Sequence, residues 1–430
     1  MSKAMVIRGG RIIDPRNRVD GVRDLRLEDG KVAAVSERPL PLGGAEEVQA
    51  QGLWVTPGFI DLHVHLREPG EEGKETILTG TRAAVAGGFT SVLAMPNTRP
   101  VNDSALVTRL VRQRAQEADL ARVYPVGAIS KGLLGEEMAE IGALRDAGCV
   151  AVTDDGRPVM SASLMRRVLS YAAPLGIPVM VHEEDLTLSA GGALTEGPRA
   201  TRLGLLPIPR SAEVVMVARD LVLLEEVGGR LHVAHVSCAD SVALLREAKR
   251  RGLRVTAEAA PHHFTLTDEA VEGWNTHAKM NPPLRHHEDV AAVREGLADG
   301  TIDAIATDHA PHGIMDKQVP YAEAANGVIG LETALPLTLE LVRSGALTPV
   351  RAVELLTSGP AGAFGLPGGH LTPGAPADVT LLDPGAAWTV EAARFQSKSR
   401  NTPYEGRKVT GRVVRTVVGG RTMWPLEERR

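Results

Sequence analysis

"TPGFIDLHVHLREPG", residues 56–70, sets Asp61, His63, His65 and Arg67 at alternate positions of a short run that is otherwise mostly apolar. Side chains alternate between the two faces of a strand, so these four share one face. Four polar groups there are not core packing.

Outward from this stretch, the chain repeats one cycle from Val55 to about Asp308: a short apolar, β-branched run that ends in polar residues, then an amphipathic helical stretch. Eight such runs occur: "VTPGFIDLHVH" (55–65), "FTSVLAMPN" (89–97), "RVYPVGAIS" (122–130), "CVAVTDDG" (149–156), "IPVMVHEED" (177–185), "LHVAHVS" (231–237), "LRVTAEAAPHH" (253–263) and "IDAIATDHAPH" (302–312). Between them lie helix-like segments such as "EEMAEIGALRDAG" (136–148) and "SAEVVMVARDLVLLEEVGG" (211–229), with apolar residues three and four apart. Alternating strands and helices imply a parallel sheet, and eight of them imply an α/β fold of the (β/α)8 TIM-barrel type. In such a barrel the chemistry sits at the C-terminal ends of the strands, where most of the unusual polar residues of these runs fall.

The flanks differ. Residues 1–54 and 365–430 carry short strand-like runs between Gly and Pro turns, among them "AMVIRGGRIID", "ADVTLLDP" and "VRTVVGGRTMWP". Neither flank buries a core alone, so the expectation is a small β-sandwich built from both termini beside a barrel spanning 55–364.

A chain of 430 residues, 43% hydrophobic and 23% charged, has the composition of a globular protein with a large core. Its net charge of -5 gives no basic footprint for nucleic acid or anionic lipid. No secretory signal opens it, and no apolar run approaches the ~18 residues that span a bilayer, so a cytoplasmic location is expected. Cys149 and Cys238 are too few for a disulfide framework or a thiolate zinc site and read as inert buried thiols.

His63 and His65 end the first run side by side, which suits two imidazole nitrogens on one metal. Asp155, His182, His235 and Asp308 close the fourth, fifth, sixth and eighth runs. A catalytic zinc takes about three protein ligands and a water. Four histidines and two carboxylates exceed that need and suit two metals sharing a carboxylate and a hydroxide. His232, three positions before His235, falls on the other strand face and reads as structural. His262, His263 and His309 lie near the mouth and read as supports to the ligands, whereas His277, His286 and His287 lie in polar stretches and read as surface residues. Asp154 and Asp155 cannot both face the metals, and the sequence does not choose between them.

With these residues in place, the chain resembles the dihydroorotases of the amidohydrolase superfamily, specifically the bacterial type I class. "PGFIDLHVHLREPG", "AMPNTRPVND", "DDG", "LGLLPIPRSAE", "HVAHVS", "KMNPPLR", "TDHAPH" and "NGVIGLETALPL" are similar to that family's patterns, in order, along the whole chain. The resemblance implies two zinc ions, the first on His63 and His65, the second on His182 and His235, bridged by Asp155. It makes Asp308 a ligand and the general acid/base, and Arg67, Asn97, Asn281 and His312 substrate contacts. It further implies reversible cyclisation of N-carbamoyl-L-aspartate to L-dihydroorotate, and a homodimer or an aspartate transcarbamoylase as partner. Hydantoinases and allantoinases resemble the chain elsewhere but usually bridge their metals with a carboxylated lysine on the fourth strand. "GCVAVTDDGRPVM" has no lysine, which favours the dihydroorotase reading. A silent scaffold homologue would have lost metal ligands, and this chain keeps them. Asp61 is expected to support a metal-bound histidine, and residues 313–326 read either as a lid over the mouth or as an ordinary loop.

Overall fold

The structure, a computed structural model, describes residues 4–426. The run at 55–65 is two strands. Trp54–Pro57 pairs with strands of both termini, and Phe59–Val64 opens the barrel. Gly58 joins them where a Cβ would lie 2.2 Å from Thr90 Oγ1, so only glycine passes.

Eight parallel strands follow in sequence order: Phe59–Val64, Phe89–Ala94, Arg122–Gly127, Ala151–Val152, Val179–Val181, Leu231–Val233, Val255–Ala259 and Ala304–Ile305. The circle closes where His65 N donates to His309 O at 2.9 Å and Val64 bridges His309 in parallel. Alternation sorts the strand residues. Val179, Val181, Leu231 and Val233 pack in the cluster formed with the helices, whereas Met180, Ala234, Ala304 and Ala306 join the cluster that fills the lumen above Phe364.

Helix Ala162–Leu175 shows how the outer layer is built. Ser161 Oγ accepts from Leu164 N, a cap worth about 1 kcal/mol. Leu164, Met165, Val168, Leu169 and Ala172, at helical spacing, are buried, and Gly176 at φ 68° ends the helix. The stretch at 136–148 behaves differently from its expected helix. Only Ile141–Ala147 is helical; before it, Lys131 N donates to Glu137 O and Ser130 bridges Met138, so the chain there spends its backbone groups on a local turn.

Strands Met5–Asp14, Val19–Glu28, Lys31–Ser36, Glu46–Gln49 and Trp54–Pro57 share one sheet with Val379–Thr389, Lys408–Val418 and Arg421–Trp424. Val32 N donates to Ala375 O and Gly374 N to Val32 O, tying the far edge back over a core that includes Ile7, Leu25, Val55 and Leu381. This sheet is fastened to the barrel by the Arg122–Asp378 fork (2.9 and 3.0 Å) and by Thr380 Oγ1 donating to Gly88 O. Among the described residues no helix is long and apolar enough to cross a membrane.

Candidate metal centre and active site

Asp155 is the hub. Its Oδ1 lies 3.2 Å from His63 Nε2, 3.5 Å from His235 Nε2 and 3.8 Å from His182 Nδ1, and its Oδ2 lies 3.5 Å from His65 Nε2. Two triads result, His63–His65–Asp155 and Asp155–His182–His235, each with its ligand-type atoms within 4.8 Å of one another. Asp308 Oδ1 adjoins the first triad, 3.2 Å from His65 Nε2 and 3.6 Å from His63 Nε2. The neighbouring carboxylate is spoken for: Asp154 Oδ1 accepts from the amides of Ile129 and Ser130 at 2.8 and 2.9 Å.

This donor set fits divalent metal. His63 Nε2 and Asp155 Oδ1 are buried, 3.2 Å apart and without a hydrogen-bond partner. Buried polar atoms are seldom left unpaired, and here both are lone-pair donors facing one space. Burial alone would raise the Asp155 carboxyl, yet the charge of His63 and contacts from the other histidines hold it well below the usual range.

Alternation does not account for every member. Ala234 belongs to the lumen, so the next residue should point outward; His235 instead takes φ 32°, which turns its ring into the centre. Asp308 also sits at positive φ, 48°. His232 correspondingly faces the lumen, not the opposite side as expected from its spacing: its ring packs edge-on to Phe364, with Nδ1 2.8 Å from Thr256 Oγ1 and Nε2 3.1 Å from Glu258 Oε2. It is satisfied, as a structural histidine should be.

Two expectations from the opening stretch need correction. Asp61 does not hold a histidine ring; its Oδ1 accepts from the backbone amides of His63 and Thr307, both at 3.0 Å, and burial raises its carboxyl to about 7. That supporting role passes to Glu258, whose Oε1 is 2.8 Å from His63 Nδ1. Burial pushes the Glu258 carboxyl up, but hydrogen bonds from His232 and His63 outweigh it and bring it to about 2. Arg67 does not share the strand face, because the strand ends at Val64 and Arg67 adopts φ 61°. It is nonetheless buried beside the centre, with Nε donating to Pro311 O at 3.1 Å.

The other expected substrate contacts surround the triads. Asn97 Oδ1 faces His65 Nδ1 at 2.9 Å, so its carbonyl is engaged by a histidine of the first triad. Asn281 Nδ2 donates to Glu184 Oε2 at 2.8 Å, and the same oxygen is 3.2 Å from His182 Nε2. Glu184 was legible only as a polar residue at a strand end. His312 Nε2 donates to Asn326 O at 2.7 Å while its Nδ1 has no hydrogen-bond partner and lies 3.8 Å from Asp316 Oδ2; burial and the charges of Arg67 and Lys317 press it down to about 2, so the ring is neutral.

Residues 313–326 are tied down. Lys317 Nζ donates to the carbonyls of Thr276, Lys279 and Ala325, and Lys279 Nζ to those of Ala322 and Ala324. His309 pairs through Nε2 with Glu75 at 3.3 Å, and His263 through Nε2 with Pro282 O at 3.0 Å; His262 stacks edge-on against His263. Of the three expected surface histidines, His287 is exposed, but His277 and His286 are half-buried. Cys149 and Cys238 are buried, and burial pushes the Cys149 thiol up to about 11, out of reach of thiolate chemistry.

A parallel eight-stranded barrel with two histidine–aspartate triads at its mouth defines a metal-dependent amidohydrolase, and the family profiles agree: "Dihydro-orotase-like" matches residues 52–241 and "Amidohydrolase family" residues 224–423. The chain is 62% identical over 423 residues to a dihydroorotase of Anaeromyxobacter sp. (strain K), covering 98% of each, and 54% identical to one of Syntrophotalea carbinolica, covering 99% of this chain and 100% of that one. The chain belongs to the dihydroorotase family. Its fold superposes on the L-hydantoinase of Arthrobacter aurescens with a TM-score of 0.88 at 28% identity, covering 98% and 96% of the two chains.

Proposed function

We infer that the protein is a two-zinc dihydroorotase that interconverts N-carbamoyl-L-aspartate and L-dihydroorotate. The observation that carries this reading is the shared carboxylate: Asp155 belongs to both triads, and the strand that bears it has no lysine to be carboxylated. His63, His65 and Asp155 would hold one zinc and Asp155, His182 and His235 the other, and the bound pair would supply a hydroxide-equivalent nucleophile at neutral pH and a Lewis acid for the ring amide.

The residues divide the remaining work. Arg67 presents a guanidinium fork that suits the substrate carboxylate, which distinguishes dihydroorotate from a plain cyclic ureide. Its anchoring on Pro311 O fixes the fork's direction before substrate arrives. Asn97, Asn281 and His312 are the polar contacts assigned to the rest of the ring. Asp308 is held ionised: burial raises its carboxyl, but His63 and His65 lower it by more. In hydrolysis it accepts the proton of the attacking water as the new C–O bond forms, then returns that proton to the ring nitrogen as the C–N bond breaks. Cyclisation runs the same transfers in reverse.

Exposed Leu134, Leu186, Leu188, Leu206, Ile314 and Met315 all belong to segments that follow barrel strands. A second copy of this chain or an aspartate transcarbamoylase as partner belongs to the same reading, and two unpaired, buried cysteines support a cytoplasmic setting. The test of function is a comparison of purified protein on carbamoyl aspartate, dihydroorotate, hydantoin and allantoin, with zinc counted on the same sample. Dihydroorotate should be the preferred ring and zinc should number about two per chain; preference for hydantoin would overturn the assignment.

A further inference from the structure

We propose that Glu258 and His232 are positioning residues for the first metal, a buried relay that fixes the ring and the proton of His63; the proposal rests on the metal-centre reading above. Three strands supply it. His63 closes Phe59–Val64, Glu258 lies in Val255–Ala259 and His232 in Leu231–Val233. The three residues are 0%, 1% and 0% exposed, so no water competes for their atoms.

An ionised carboxylate only accepts, so both nitrogens that face Glu258 carry hydrogen: His63 Nδ1 at 2.8 Å and His232 Nε2 at 3.1 Å. His232 Nδ1 lies 2.8 Å from Thr256 Oγ1, a hydroxyl that can donate or accept. His63 Nε2, the ring atom left to take a metal, faces Asp155 at 3.2 Å and has no hydrogen-bond partner. The relay therefore ends on a free donor atom aimed into the first triad.

The relay singles out one histidine. His65 Nδ1 meets only the neutral amide oxygen of Asn97 at 2.9 Å, and His235 Nδ1 is buried with no partner. His182 is backed by Glu184, but through Nε2, and Glu184 also accepts from Asn281. Among the described residues, His63 alone of these four has its Nδ1 hydrogen-bonded to a carboxylate, and there His232 answers the second oxygen. A buried carboxylate with one oxygen unpaired is costly, so His232 is the residue that allows Glu258 to stay ionised at this depth. The edge-on contact with Phe364, ring centroids 4.8 Å apart, sets the plane of the His232 ring. Neither residue belongs to either triad, and both act through His63.

Partners of this kind typically change metal affinity 10- to 100-fold when removed. The test measures zinc binding to apo protein by competition with a chromophoric chelator, alongside nitrogen spectra of the histidine-labelled, zinc-loaded protein. Glu258→Ala should weaken the first zinc about 10- to 100-fold and leave the second within about threefold. The His63 Nδ1–H signal, hydrogen-bonded to Glu258 in the parent, should shift and exchange faster with water. Glu258→Gln must donate to one of the two rings, so it should disturb one ring's signals and cost less affinity, and His232→Gln should fall between. If Glu258→Ala does not fold, Glu258→Gln and His232→Gln carry the same two readouts. A role in fold stability alone would lower the melting temperature while zinc affinity and the His63 Nδ1–H signal stay unchanged, and that result would overturn the proposal. Neither measurement uses a substrate, so a protein that fails to turn over dihydroorotate would sink the functional reading without touching this one.

Discussion

One oxygen of Glu184 sits 2.8 Å from Asn281 Nδ2 and 3.2 Å from His182 Nε2, so a single carboxylate holds an amide at the mouth and an imidazole of the second triad. Burial raises this carboxyl, but contact with His182 and Asn281 brings it to about 2, so it is charged at any working pH. Replacing it should disturb substrate and metal together. Glu184→Gln is expected to raise KM for dihydroorotate several-fold and to weaken the second zinc about tenfold. Asn281→Ala, which leaves the Glu184–His182 pair intact, should raise KM alone. Steady-state kinetics with zinc titration on both variants checks this, and a Glu184 variant with unaltered zinc binding would uncouple the two.

Asp308 faces the first triad from a left-handed turn at the end of the eighth strand, 3.2 Å from His65 Nε2. As proton carrier it is replaceable in shape but not in charge. Asp308→Asn should retain most of the zinc, since the two triads do not depend on it, while kcat falls by about 10² to 10⁴-fold. Metal analysis beside turnover decides the role; near-normal kcat with full zinc would exclude it.

How far the site could be read from sequence depended on backbone regularity. His63, Asp155, His182 and His235 lie just past or at strand ends, where barrel topology converges side chains, so finding the strands was enough to bring the group together. Face assignments failed where the backbone left β geometry: the parity argument misplaced His232 because His235 is turned by φ 32°, and it put Arg67 on a strand that ends three residues earlier. Glu258 left one faint signal, a lone carboxylate inside the apolar run "LRVTAEAA", and nothing local indicates that its partners lie 195 residues before it and 26 before it. The choice between Asp154 and Asp155 needed the positions of the Ile129 and Ser130 amides, which are tertiary facts.

Lys317 gives a pH dependence that can be worked out in sign. Its ammonium is buried among three backbone carbonyls, and burial, followed by the charge of Lys279, lowers it to about 7 against about 10.4 for a lysine in an unfolded chain. Between those values the unfolded chain binds the extra proton, so stability rises with pH across that window and is flat from this group below it. Each unit of pH is worth up to about 1.4 kcal/mol. Lys317→Met should remove this rise, so that the stability gap between variant and parent changes by about 1–2 kcal/mol from pH 7 to pH 9. Denaturant melts at the two pH values measure it; a constant gap would mean that the carbonyl cage keeps the ammonium protonated throughout.

On the proposed reading, Arg67 decides what the site recognises. Burial lowers its basicity, though the nearby carboxylates of Glu71, Asp308 and Asp155 counter that, and its Nε is fixed on Pro311 O at 3.1 Å. Arg67 Nη1 lies 3.9 Å from a Glu71 carboxylate oxygen, too far for a hydrogen bond, so the fork can still pair with the carboxylate of dihydroorotate. Cutting a buried, hydrogen-bonded charge pair costs roughly 2–5 kcal/mol, much of it from the partner left unpaired. Arg67→Met should therefore lower kcat/KM for dihydroorotate by tens- to thousands-fold, at about 1.4 kcal/mol per factor of ten. A neutral dihydropyrimidine that lacks the carboxylate should be a poor substrate of the parent and change little in the variant. The two substrates separate recognition from support, because the Pro311 bond is lost for both and the carboxylate pair for one alone. Equal losses on the two rings would place Arg67 among the residues that hold the mouth together, and the substrate assignment would then have to rest on other contacts.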